Sequence, residues 1–216
     1  MPVVTSLRAT RGGRVAVHLD GAYACTVSAS LVAALRLYQG RELTDDDARQ
    51  LLGDAGLESA LADAYRLLSH RSRSTDELRQ RLTAKGRSED VVDAVLARLA
   101  AEKLLDDAAF ARAFAADRMR LAAWGRARIL RELAGLGVAA DLAEAAVAAV
   151  SAEGEGERAR AALAKRRPTQ PLDAAKRRAY QLLLRRGFDP HVAYDAVQAW
   201  AAGGGADTEE PPSDSS

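Results

Sequence analysis

The side chains best suited to nucleophilic or metal chemistry are few and scattered in this sequence. There are three histidines, His18, His70 and His191, and a single cysteine, Cys25. No histidine has a second His or a carboxylate at a recognised metal-binding spacing. Cys25 alternates with Tyr23 and Val27 in a strand-like run and has no base paired with it in sequence, so it reads as a core or edge residue rather than an activated thiolate. Asp106 and Asp107 stand just before Phe110 and Phe114, where Asp106 caps a helix and Asp107 reinforces its positive end. The run Asp45 to Asp47, and Glu153, Glu155 and Glu157, are explained as solvated first turns. Gly12-Gly13-Arg14 lacks the spacing and the Lys-Ser/Thr ending of a nucleotide phosphate loop. The sequence therefore predicts no catalytic group, no cofactor site and no metal site.

Arginine carries the more informative pattern. Arg71 and Arg73 precede a helix bearing Arg79, Arg81 and Lys85, while Arg118 and Arg120 lead through Trp124-Gly125 to Arg126, Arg128 and Arg131. Lys165 to Arg167, Lys176 to Arg178, and Arg185 with Arg186 then concentrate charge near the end. A guanidinium fork can chelate a carboxylate or phosphate oxygens, and a staggered array can register against a repeating partner. An acidic protein groove and a nucleic-acid backbone both fit, as does an ordinary solvated face. Overall charge conceals this, since 31 basic and 30 acidic residues leave +1. The residues after 200 are acidic, and either solubilise the chain or compete for the basic segment before them. Trp124 reads as a packing residue or a partner contact, and Trp200 as core.

These arginines must be held by the elements around them. The chain has 216 residues, 48% apolar and only 5% aromatic, enough for a substantial core built of Ala, Leu and Val. Val15, Val17 and Leu19, then Tyr23, Cys25 and Val27, alternate around Asp20-Gly21. That predicts a hairpin, covered by a third strand from 3–10 or by a following helix. Helices are predicted at 28–38 and 44–53, the second opened by a Thr44/Asp47 capping box.

A repeat follows. Leu78, Leu82, Gly86, Val91, Val95, Leu96 and Leu99 map at an offset of 51 onto Ile129, Leu133, Gly137, Leu142, Ala146, Val147 and Val150. At a further 50 they map onto Ala179, Leu183, Gly187, Val192, Ala196, Val197 and Trp200. Each copy reads as a short helix, a glycine turn and a longer helix, preceded by a leading helix at 61–70, 107–121 or 155–166.

The expected architecture is predominantly all-α: an elongated curved array of three tandem three-helix repeats with a small N-terminal β-hairpin/helix extension, a compact helical bundle being the alternative. The divisions expected are 1–58 for the extension, 59–104, 105–150 and 151–201 for the repeats, and 202–216 for a disordered acidic tail. No window approaches the roughly 20 apolar residues of a membrane helix. With one cysteine excluding an intramolecular disulfide framework, a soluble protein of the reducing cytoplasm is expected.

The strings YRLLSHRSRSTDELRQRLTAKG at 65–86, LLDDAAFARAFAADR at 104–118, GRARILRELAGLG at 125–137 and KRRAYQLLLRRGFD at 176–189 occur in that order. Together they resemble the RecX family of bacterial recombinase regulators, and VHLDGAYACTV resembles the N-terminal extension of many members. Leu104 stands where the family commonly has an aromatic. The resemblance implies a noncatalytic modulator of RecA, usually negative, whose repeats bind the groove of RecA assembled on DNA. Restrained filament growth, ATP turnover, strand exchange and RecA-stimulated cleavage would follow.

By the same resemblance the contact residues are Arg71, Arg73, Arg79, Arg126, Arg128, Arg131, Lys176, Arg177, Arg185 and Arg186. The partners implied are RecA protomers in a nucleoprotein filament, with direct contact to the DNA backbone left open, and a free chain that is monomeric. A basic helical nucleic-acid-binding module acting without RecA is the alternative.

Overall fold

The computed structural model describes residues 1–151 and 154–203, so Glu153 and the acidic tail from 204 onward lie outside the described residues. The chain divides into two compact units, Met1–Asp106 and a second that begins at Asp107.

The first unit opens with the antiparallel strands β1 (Val4–Ala9), β2 (Arg14–Leu19) and β3 (Ala22–Ser28), in the order β1-β2-β3. The third strand needed to complete the hairpin comes from the N-terminus. Asp20 and Gly21 both take positive φ, 49° and 85°, the geometry a two-residue turn requires. One expectation fails in β3. Cys25 pairs with Val17 but Tyr23 pairs with His18, so the register shifts there. The extra residue flips parity. Cys25 and Val27 are buried, whereas Tyr23 is exposed, its hydroxyl hydrogen-bonded to Thr26 Oγ1 at 3.1 Å.

Short α1 (Ala29–Ala34) follows, its N-terminus capped by Ser28 Oγ, which accepts from Leu31 N at 3.1 Å. The helix α2 then runs unbroken over Asp45–His70, where two separate helices were expected. Its Thr44/Asp47 capping box forms as the sequence predicts. Gly53 and Gly56 do not end it, because a helical glycine costs only about 1 kcal/mol relative to alanine and α2 has apolar partners on both sides of them. Leu51 and Ala55 join the core under the sheet, while Ala60, Leu61 and Ala64 join that of the first repeat. The expected boundary at 58/59 thus falls inside one helix.

The first repeat continues with α3 (Thr75–Thr83) and α4 (Glu89–Ala101). The second unit holds α5 (Asp107–Ala122), α6 (Arg126–Gly135) and α7 (Ala140–Val150), then α8 (Glu155–Ala164), α9 (Leu172–Arg185) and α10 (Pro190–Gly203). In every repeat the leading helix packs on the third: α2 on α4, α5 on α7, α8 on α10. The glycine turns recur in backbone detail. Gly86, Gly137 and Gly187 have φ of 77°, 74° and 83°. Their N–H groups donate to Thr83, Ala134 and Leu184, and those of the next residues to Leu82, Leu133 and Leu183. This double closure satisfies the last helical carbonyls and needs a left-handed residue at the glycine.

The inward stripe of each third helix begins one residue later than the sequence reading placed it. Val92, Ala143 and Ala193 are buried, and Val91, Leu142 and Val192 only half-buried. Each repeat encloses its own apolar cluster. The last helix extends to Gly203, past the expected boundary at 201.

Candidate functional site

Most cations of the first repeat are paired inside it. Ser74 caps α3, accepting from Glu77 N at 3.1 Å, and the Glu77 carboxylate receives Arg71 at 2.5 and 2.9 Å and Arg73 from the other side. Arg73 also donates to the Leu67 carbonyl at 3.2 Å, and its side chain is only 9% exposed. Burial alone would raise the Glu77 pKa, but the hydrogen bonds and charge of Arg71, then Arg73, hold it below the usual carboxylate range. Arg79 bridges α3 to Asp93 of α4 at 2.6 Å. Asp63 of α2 collects Lys85 at 2.7 Å and Arg87 at 2.9 Å, and against the effect of burial these two cations lower its pKa. Arg71, Arg73 and Arg79 therefore lock the repeat's turns and helices together.

The second unit uses its cations differently, beginning with a substitution inside the repeat. At the offset of 51, Ser74 and Glu77 become Gly125 and Arg128, so the side-chain cap is gone. The orphan amides at the start of α6 turn to the third repeat instead. Gly125 N donates to the Arg186 carbonyl at 2.8 Å, Ala127 N to the Gly187 carbonyl at 3.1 Å, and Arg126 N to Glu155 Oε1 at 3.2 Å. The positive end of α6 thereby meets the negative end of α9. A Cβ on Gly125 would overlap the Gly187 carbonyl, and one on Gly187 would overlap Arg128.

Arg128 closes this junction. Its guanidinium stacks 3.9 Å from the Trp124 ring centroid and reaches the Arg185 carbonyl at 3.4 Å. Arg118 lies 5.1 Å from the same ring, and Phe114 meets it edge-on. Trp124 is thus a half-buried packing residue between two cations, worth roughly 1 kcal/mol per cation–π contact.

Arg126 pairs with Glu144, and Arg128 approaches Glu132 at 3.8 Å. Among the described residues no carboxylate pairs with Arg131, Lys176, Arg177, Arg185 or Arg186. Two clefts concentrate this charge. One, of about 730 Å³, lies where the end of α5 meets α8, with Arg120, Lys165, Arg166 and Arg186 around apolar Met119 and Val150. The other, of about 650 Å³, lies beside α9, with Arg177, Arg178 and Arg185 near Trp200. Arg166 lines both, and among the described residues neither lining includes an Asp or Glu. Burial first, then the charges of Arg166 and Arg128, push the Arg186 pKa below its ordinary value.

Sequence reasoning placed Lys176, Arg177, Arg185 and Arg186 together on the third repeat. It does not show that Arg120 of α5 and Arg166, just after α8, share one cleft with Arg186, or that Arg166 also lines the other with Arg177 and Arg185, because these residues come from separate segments of the chain. Lys176 lines neither. Trp200, expected as core, is half-buried and donates its indole N–H to the Arg166 carbonyl at 2.7 Å.

The thiol and imidazoles remain apart. Cys25 is buried in β3, and burial followed by the Glu58 charge raises its pKa. Among the described residues no three His, Cys, Asp or Glu side chains gather into a metal-sized cluster, and no helix is long and apolar enough to cross a membrane.

Comparison with known proteins agrees in register. Residues 60–99 match the first three-helix domain of RecX and residues 106–147 the second. The chain is 33% identical over 201 residues to the regulatory protein RecX of Geobacillus kaustophilus, spanning 91% of this chain and 73% of that one. It is 37% identical over 146 residues to RecX of Mycobacterium avium, spanning 66% of this chain and 84% of that one. A crystal structure of regulatory protein RecX shares the fold, with a TM-score of 0.68 at 24% identity over 92% of this chain and all of the other.

Three-helix repeats behind a small sheet, presenting cations on helices, define a helical-repeat regulatory protein. The chain belongs to the RecX family of RecA regulators, whose proteins are noncatalytic.

Proposed function

We propose that this protein restrains RecA by laying its repeats in the groove of a RecA–DNA filament, limiting filament growth and with it ATP turnover, strand exchange and RecA-stimulated cleavage. The observation that carries the reading is the asymmetry of charge pairing. Arg71, Arg73 and Arg79 are matched to Glu77 and Asp93, whereas Arg131, Arg177 and Arg185 are exposed without a carboxylate partner among the described residues.

The proposed contact set is therefore Arg131, Lys176, Arg177, Arg185 and Arg186, with Arg126 and Arg128 supporting the second repeat through Glu144 and Trp124 and the three earlier arginines maintaining the first repeat's shape. The segments 59–104, 105–150 and 151–201 act as linked docking modules of a cytoplasmic monomer. Docking of one raises the effective concentration of the next.

The test is the triple charge reversal Arg131→Glu, Arg177→Glu and Arg185→Glu, assayed for filament binding, for inhibition of RecA ATPase, and for binding to DNA without RecA. Filament binding is expected to weaken at least about tenfold, with unchanged thermal stability and a reduced dependence on salt. Full inhibition by the triple variant would sink the assignment. Tight, salt-sensitive DNA binding that is indifferent to RecA would instead establish the nucleic-acid module.

A further inference from the structure

The cleft formed by α5 and α8 is lined by two kinds of side chain. Arg120, Arg158, Lys165, Arg166 and Arg186 supply charge, and Met119, Val150 and several alanines supply apolar surface. Arg186 is half-buried and crowded by Arg166 and Arg128, an arrangement of like charges that an anion would relieve. A single carboxylate would leave several of these cations unmatched. Inorganic phosphate would match the charge and leave the apolar side chains unused.

The ligand that uses both kinds of lining is an anion of several charges joined to a largely apolar group. At about 730 Å³ the cleft also has the volume for it, since small-ligand pockets commonly run from about 300 to 1,000 Å³.

From this mixed cationic and apolar lining we propose that the cleft binds a nucleoside phosphate. The phosphates lie against Arg166, Arg186 and Lys165, and the base covers Met119 and Val150. Guanidinium forks take the place of a glycine-rich loop as phosphate donors. Among the described residues the lining holds no Asp, Glu or His, and binding alone is assigned to it. Because Arg186 also supplies the carbonyl that receives Gly125 N, an occupied cleft sits directly on the junction of the second and third repeats.

The test is calorimetric titration of the full chain with ADP, pyrophosphate, adenosine and a short single-stranded oligodeoxynucleotide, without RecA. ADP is expected to bind at least about tenfold more tightly than pyrophosphate or adenosine, and Arg166→Ala to weaken ADP by at least about tenfold. Arg98→Ala, in the first unit, should leave ADP binding unchanged. Arg166 is exposed, so its variant tests the site even if Arg186→Ala impairs folding.

Absence of ADP binding at millimolar concentration would overturn the proposal. So would pyrophosphate binding as tightly as ADP, which reduces the cleft to a general basic patch, or Arg166→Ala binding ADP as tightly as the native chain. Filament docking can fail in its own assay with ADP binding intact, and the reverse holds equally.

Discussion

Gly125 and Gly187 meet backbone to backbone, so that the helix opened by the first is capped by carbonyls at the turn made by the second. Neither position leaves room for a side chain. Two repeats that each have a separate apolar core are joined here by main-chain hydrogen bonds, and the stacked Arg128 and Trp124 shield the joint.

Substitution at the glycine turns should separate backbone strain from steric clash. Gly86→Ala meets open space and carries only the left-handed φ, a loss of about 1–2 kcal/mol. Gly187→Ala adds overlap with Arg128, a further loss of about 1–3 kcal/mol. Urea unfolding of the two variants checks this, and equal losses would show that the close approach carries no energy.

Glu77→Gln should destabilise the first repeat by about 3 kcal/mol or more, because it leaves the buried Arg73 guanidinium uncompensated. The Arg73→Met variant of the same pair should be milder. Chemical denaturation followed by circular dichroism measures both.

Acid should loosen the first repeat through Glu77 and Asp63. Both carboxylates have folded-state pKa values below their unfolded ones. Their contribution is fully present above an unfolded pKa of about 4 and is lost as pH falls through the lower folded value. Stability measured from pH 6 to pH 2 should drop more steeply for the native sequence than for Glu77→Gln. Parallel curves would remove Glu77 from the explanation.

Cys25 should resist thiol reagents until the protein unfolds, since it is buried and its raised pKa keeps it protonated. Reaction with a chromogenic disulfide at pH 7 should therefore follow global unfolding. Rapid labelling of native protein would contradict the burial of β3, while Cys25→Ala should leave RecA regulation unchanged.

Legibility along the chain followed the range of the forces involved. The Asp20-Gly21 turn, the Thr44 and Ser74 caps and the three left-handed glycines depend on neighbours within a few residues, and their residue types state the backbone they need. Continuity of α2 was hidden because its two glycines suggest a break, and only apolar partners at both ends show that the helix is worth extending through them. The slip at Tyr23 was hidden for a related reason: alternation in sequence assumes a regular pairing, and one extra residue reverses every face beyond it.

The site divides along the same line. By itself the sequence determined that arginines recur with the repeat, that carboxylates and histidines are not spaced for catalysis, and that motifs in a fixed order resemble the RecX family. Only the tertiary structure decided which arginines are already occupied. Arg73 is spent on Glu77 four residues away, yet Arg186 has Arg166 and Arg128 for neighbours. Charge is a property of a side chain, but its pairing depends on the space around it, and that space is assembled from helices far apart in the chain.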